Sequence, residues 1–69
     1  MRDLKPWELR LLNEREELKE RYAKLGEFIR LEAFNDLEEA DQDLLNDQAY
    51  AMLEYLSVLD SRVERIWAQ

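Results

Sequence analysis

The chain has 69 residues and a net charge of −7, and it contains no cysteine and no histidine. Without those side chains it cannot form disulfides, thiolate sites or the common zinc sites, so a domain this small is expected to gain stability by assembly. No apolar run approaches the 18 or so residues of a membrane span, and the N-terminus lacks the apolar core of a secretory signal. We therefore expect a cytoplasmic protein that binds neither membranes nor, given its acidity, duplex nucleic acid.

The first predicted helix begins at Pro6, because a proline at the first helical position gives up an N–H that has no partner there anyway. From there to about residue 33 the chain is rich in Leu, Glu, Lys and Arg, which are strong helix formers. Gly26 lies inside this helix, where it suggests a close helix crossing or a slight bend. The apolar stripe has spacings of three, four and seven and consists of Leu4, Trp7, Leu11, Leu18, Tyr22, Leu25 and Ile29.

A turn over about residues 34–36 separates this helix from a second one, predicted over about 37–67. Asp36 followed by Glu39 fits an acidic variant of the capping box that begins many helices. The apolar face of the second helix consists of two lines of residues. Within each line the residues are seven positions apart. One line is Leu45, Met52, Leu59 and Ile66, and the other is Ala49, Leu56 and Val63.

Two long helices joined by a short turn predict an all-α fold, an antiparallel two-helix hairpin that forms a single domain over residues 1–69. A lone hairpin leaves many apolar side chains uncovered, so we expect it to assemble into a homo-oligomeric helical bundle. The residues assigned to the core or oligomer seam are Leu11, Leu18, Leu25, Met52, Leu56, Leu59, Val63 and Ile66.

Charge is segregated along the sequence. Between Leu31 and Ser61 there are nine acidic side chains and no basic one. In a hairpin that places residue i opposite about residue 71 minus i, these acids gather at the turn end. The free amides that begin the first helix add a preference for anions at the other, open end. The open end also collects Arg2, Lys5, Arg10, Arg62 and Arg65, together with Trp7 and Trp67.

A third line on the second helix is polar and consists of Gln48, Tyr55 and Arg62, about 60° from the first line. One interpretation is structural: Tyr55 forms a hydrogen bond across the seam and Arg62 pairs with Glu14. The other is a ligand site, in which Arg10 and Arg62 hold phosphate, Tyr55 stacks on a ring and Gln48 recognises a polar edge. The sequence leaves both interpretations open.

Catalysis and metal binding find little support. No nucleophile elbow, phosphate loop or metal signature is present, and the serines have no histidine to activate them. The acidic run around the turn lacks the D-x-D-x-D-G pattern of a calcium loop and is expected to be a solvated cap. We therefore expect a protein that is not an enzyme and that uses no cofactor and no metal.

The polar and apolar residues together resemble a family of very small helical proteins named for crAss-like phages. The resemblance covers nearly the whole chain, although the C-terminal Arg-Ile pair of the family pattern is displaced here, since Val63 follows Arg62. It implies a phage origin and a helical hairpin, and it assigns no activity to individual residues. The matching positions are Arg10, Glu14, Leu18, Lys24, Leu25, Phe28, Ile29, Phe34, Leu37, Gln42 to Leu45, Gln48, Met52, Tyr55, Leu59 and Arg62.

Small accessory phage proteins often counter host defence, and one route is to trap a nucleotide second messenger between subunits without cleaving it. The resemblance and the polar line lead to the hypothesis that this chain is such a binding protein, with itself and a small nucleotide-type signal as partners. The alternative is an inhibitor or adaptor that binds a host protein through the acidic turn end or an exposed apolar face. A purely structural phage component is a third possibility.

Overall fold

The first helix, α1, covers Pro6–Ile29 in the computed structural model of the chain, which describes residues 3–68. Lys5 precedes the helix in an extended conformation, and its backbone N–H donates to the carboxylate of Glu8 at 2.8 Å. The Lys5 carbonyl in turn accepts from the backbone N–H groups of Glu8 and Leu9. Pro6 has no N–H, so the first turn of α1 has most of its donors satisfied locally.

The connection between the long helices is more structured than a simple turn. Helix α1 ends at Ile29 rather than at residue 33, because Leu31 takes an extended conformation that interrupts the helical ladder. A short helix, α2, then covers Glu32–Asn35. It turns Phe34 inward, where its ring is buried and meets Phe28 edge to face with 6.2 Å between the ring centroids. This aromatic contact lies beside the end of α1.

The second long helix, α3, covers Glu39–Trp67 and begins after Glu38, not after Asp36. The predicted capping box is therefore wrong: Asp36 ends α2, and no side chain caps α3. In place of a cap, the Gln42 side chain forms hydrogen bonds to the last residue of α2 and to the segment between α2 and α3. Its amide lies 2.9 Å from the carbonyl oxygen of Leu37 and 3.4 Å from that of Asn35.

The fold is all-helical over the described residues, and α1 packs along α3 as a hairpin about 50 Å long. Five side chains form the buried centre of this contact: Leu11, Leu18, Leu59, Val63 and Ile66. Partly buried Leu4, Leu12, Met52 and Leu56 pack against them. Leu25, on the predicted seam, is half-buried and lies outside this cluster. The core is thus concentrated in the open half of the hairpin.

An ion pair across the helices fixes how they align. Arg15 Nε lies 3.3 Å from a carboxylate oxygen of Asp60, whereas the predicted alignment placed residue 15 opposite residue 56. The difference of four residues is about one helical turn. The predicted pair of Arg62 with Glu14 is absent: no ion pair within residues 3–68 involves either side chain. The predicted hydrogen bond of the Tyr55 hydroxyl across the seam is not formed either among these residues.

A single hairpin leaves much apolar surface in water. Its accessible surface is 5664 Å², about 1000 Å² more than a compact monomer of the same mass exposes. The large apolar side chains that remain exposed are Trp7, Leu9, Leu31, Leu44, Tyr50, Leu53, Tyr55, Val58 and Trp67. Over the described residues, neither long helix carries an apolar stretch that could cross a bilayer.

Replacing Leu59 by Ala should remove about 2–5 kcal/mol of stability, because its side chain is fully buried and the truncation leaves a cavity. Leu53→Ala is the matched control on the same helix, since Leu53 is 47% exposed and should lose far less. Urea titrations followed by circular dichroism at 222 nm measure both changes. Equal losses in the two variants would contradict the packing described above.

Replacing Gly26 by Ala should stabilise the protein by about 0.5–1 kcal/mol, because glycine is costly inside a helix. A Cβ at this position would have no atom within 4 Å, so the close crossing suggested by the sequence is wrong within the described part of the chain. The midpoint of thermal unfolding should therefore rise. A lower midpoint would indicate a close neighbour at Gly26, such as another copy of the chain.

Candidate functional site

A partly open hollow lies at the open end of the hairpin. Trp7 of α1 and Arg62, Arg65 and Ile66 of α3 line it, and its volume is about 220 Å³. Arg62 and Arg65 lie three residues apart, so both guanidinium groups project from the same side of α3. The buried side chain of Ile66 and the half-exposed ring of Trp7 supply apolar walls. The hollow therefore joins two cations to an aromatic surface.

Three of the other basic side chains within residues 3–68 are paired, whereas Lys5, Arg10, Lys19 and Arg30, like the two cations of the hollow, form no ion pair there. Arg15, Arg21 and Lys24 each form an ion pair with a carboxylate of the same chain. Arg62 and Arg65 form none within residues 3–68, and both are exposed. An unpaired guanidinium offers several donors in a planar fork that matches phosphate or carboxylate. The hollow is thus suited to an anion.

The anion preference comes from side chains and not from the start of α1. The backbone donors of Lys5, Glu8 and Leu9 are already bonded within the first turn, and Pro6 has none. The start of α1 therefore offers an anion fewer free donors than the sequence suggested. The buried carboxylate of Glu8 accepts the Lys5 N–H, whereas the Lys5 carbonyl accepts the N–H groups of Glu8 and Leu9.

The four predicted ligand residues are spread along one side of the hairpin. Arg62 lies in the hollow, and exposed Arg10 is one helical turn beyond Trp7. Tyr55 is 45% exposed and lies about 10.5 Å along α3 from Arg62. Exposed Gln48 lies about 21 Å from Arg62, and its amide nitrogen is 4.0 Å from the Met52 sulfur. Arg62 alone of the four lines the hollow.

Two residues of the hollow were placed at the open end by the sequence but were not assigned to the ligand set. Trp7 was counted with the apolar stripe, and Arg65 fell outside the seven-residue line that includes Arg62. The spacing of three between Arg62 and Arg65 was the available signal, because it puts two cations on one helical face. Arg2, also assigned to the open end, lies outside the described residues.

The turn end is strongly acidic. Exposed carboxylates surround the connection at Asp36, Glu38, Glu39, Asp41, Asp43 and Asp47. Within residues 3–68, no group of three or more acidic side chains is arranged to hold a metal ion. At the open end, about 50 Å away, acidic and basic side chains are nearly balanced.

Comparison with known proteins gives one result that covers most of the chain. Residues 5–65 match the family model described as Sequestin. Comparisons with curated proteins and with solved structures gave no match. The name of the family fits a role in sequestration, which is a binding role rather than a catalytic one. Because the match extends over most of the 69 residues, the chain belongs to the Sequestin family.

Proposed function

We propose that this protein sequesters a small nucleotide-type signal without cleaving it. The observation that carries the proposal is the hollow at the open end, where two unpaired arginines adjoin an aromatic wall. Membership of the Sequestin family supports sequestration in general. A phosphate is the anion that a pair of guanidinium groups holds best, and a nucleotide combines phosphate with a flat ring.

Each part of such a ligand has a suitable partner. Arg62 and Arg65 would hold the phosphate through paired N–H donors, and Arg10 would add positive charge from α1. Trp7 would cover the ring or the sugar with its half-exposed face. Tyr55, two turns away on α3, is within reach of a ligand that extends from the hollow along the helix.

Gln48 fits the proposal only if it comes from another copy of the chain. It lies about four helical turns from Arg62 within one chain, or about 21 Å, which is two turns beyond Tyr55. The hollow itself, at about 220 Å³, is also smaller than the roughly 300–1000 Å³ of typical small-molecule sites. Both observations favour a site that is completed by assembly.

Sequestration requires binding and no chemical step, which suits a chain without histidine or cysteine. The protein would act stoichiometrically by lowering the free concentration of the signal. Together with the resemblance to crAss-like phage proteins, this role suggests that the chain acts in the cytoplasm of an infected host cell, where it withholds an immune signal from its receptor.

The exposed apolar and acidic surfaces favour a second candidate, a protein inhibitor or adaptor. Nine acidic side chains with no basic one lie between Leu31 and Ser61, and they could mimic nucleic acid toward a basic host protein. This candidate requires the carboxylates at Glu38, Glu39, Asp41 and Asp43 and makes no use of Arg62.

A thermal-shift screen on tryptophan fluorescence tests the primary proposal. The panel contains linear nucleotides, cyclic nucleotides and ADP-ribose-type molecules. A ligand at about 100 times its dissociation constant stabilises the folded state by about 2.7 kcal/mol, which is several degrees for a chain this small. We expect one class to raise the unfolding midpoint.

Arg62→Ala should abolish that shift because it removes a phosphate donor. Arg30→Ala is the control, since Arg30 is also exposed but lies at the opposite end of the hairpin. Circular dichroism at 222 nm should show that both variants remain folded. A flat panel, or equal effects of the two substitutions, would count against the nucleotide proposal and turn attention to a host protein at the acidic end.

A further inference from the structure

Helix α3 carries a second packing seam that α1 leaves uncovered. We call it the exposed seam. Its residues are spaced alternately by four and three, which is the spacing of coiled-coil contact positions. The exposed seam consists of Leu44, Gln48, Ala51, Tyr55, Val58, Arg62 and Arg65. It runs beside the seam buried against α1, so α3 is built to contact two neighbours.

The exposed seam has the size and character of an interface. Leu44 is 65% exposed, Val58 is 58% exposed and Tyr55 is 45% exposed. The chain as a whole exposes about 1000 Å² more than a compact monomer of its mass. A standard protein interface covers about 800 Å² on each partner, so one such contact would bring the surface close to the ordinary value.

We propose that a second copy of this chain covers the exposed seam with its own exposed seam. The two α3 helices run antiparallel, and the two-fold axis passes near Glu54 and Tyr55. Such a contact is self-complementary, because each residue before the axis meets a residue after the axis on the other copy.

Charge favours the antiparallel orientation. Asp47 lies at the edge of the exposed seam in its acidic half, and Arg62 lies in its basic half, where no carboxylate of the described chain pairs with it. These two residues are equally far from the proposed axis, so each Asp47 meets Arg62 of the second copy. A parallel pair would instead place Asp47 beside Asp47 and Arg62 beside Arg62, which is unfavourable.

Side-chain size favours the same axis. Ala51 and Val58 are also equally far from it, so a small residue meets a branched one at two places in the interface. Leu44 meets the aliphatic part of Arg65, which can cover an apolar side chain while its charged end stays in water. Tyr55 lies next to Tyr55 of the second copy, where two aromatic rings can pack.

The proposed pair would also change the candidate site, because Asp47 of the second copy would compete with phosphate for Arg62. It brings Gln48 of the second copy beside Arg62, although within one chain the two are about 21 Å apart. This consequence rests on the proposed nucleotide binding. The pairing itself does not, since it follows from the seam and its charges, and it is tested without a ligand.

Single cysteines test the axis cleanly, because the natural chain has none. Tyr55→Cys should form a disulfide-linked dimer on mild oxidation. Leu53→Cys is the matched control: it has similar exposure, 47% against 45%, but lies on the opposite side of α3. Gln48→Cys should link poorly to itself and readily to Arg62→Cys in a mixture of the two variants. Self-linking of Gln48→Cys would indicate a parallel pair and overturn the proposal.

Charge reversal tests the same contact by sedimentation without cross-linking. Asp47→Arg should raise the dimer dissociation constant about tenfold or more, because it puts like charges together at two symmetric places. Adding Arg62→Asp should restore pairing. Asp43→Arg, an equal charge change one turn earlier and off the seam, should have little effect. The proposal is overturned if the unaltered chain is monomeric at high micromolar concentration, or if Asp43→Arg and Asp47→Arg weaken pairing equally.

Discussion

The packing of α1 against α3 at the open half of the hairpin is the contact on which the rest of the structure depends. Leu59 and Ile66, both fully buried, anchor it from α3, and Leu11 meets them from α1. This contact brings Trp7 beside Arg62 and so creates the hollow. It also sets which side of α3 stays uncovered. With few buried residues in total, a chain of this size has little stability in reserve.

Local chemistry allowed much of this architecture to be predicted. Strong helix formers and seven-residue apolar lines indicate two packed helices, and the core residues of α3 lie on those lines. The segment between the two long helices was harder to predict from the sequence, because it involves a tertiary contact that no local sequence pattern indicates. Phe34 packs against Phe28 where α1 ends at Ile29, and α3 begins only at Glu39. The Arg15–Asp60 ion pair lies about one helical turn from the predicted alignment.

For the candidate site as well, some features could be predicted from the sequence and others could not. The sequence placed Arg62, Arg65 and the tryptophans at the open end, because a hairpin brings its two termini together. It did not show that the Glu8 carboxylate accepts the backbone N–H of Lys5, since a buried carboxylate that bonds to the chain before its own helix looks like any other acidic residue. It also could not show that Arg62 has no acidic partner within residues 3–68, because an ion pair depends on alignment to within one turn.

The segregation of charge along a 50 Å rod has a kinetic consequence. A negatively charged molecule that diffuses toward the protein is repelled by the acidic turn end, so its encounters shift toward the open end, where acidic and basic side chains are nearly balanced. Because the two ends are several Debye lengths apart at physiological ionic strength, each acts on its surroundings almost independently. An anion that approaches the open end is therefore spared most of the repulsion from the turn end.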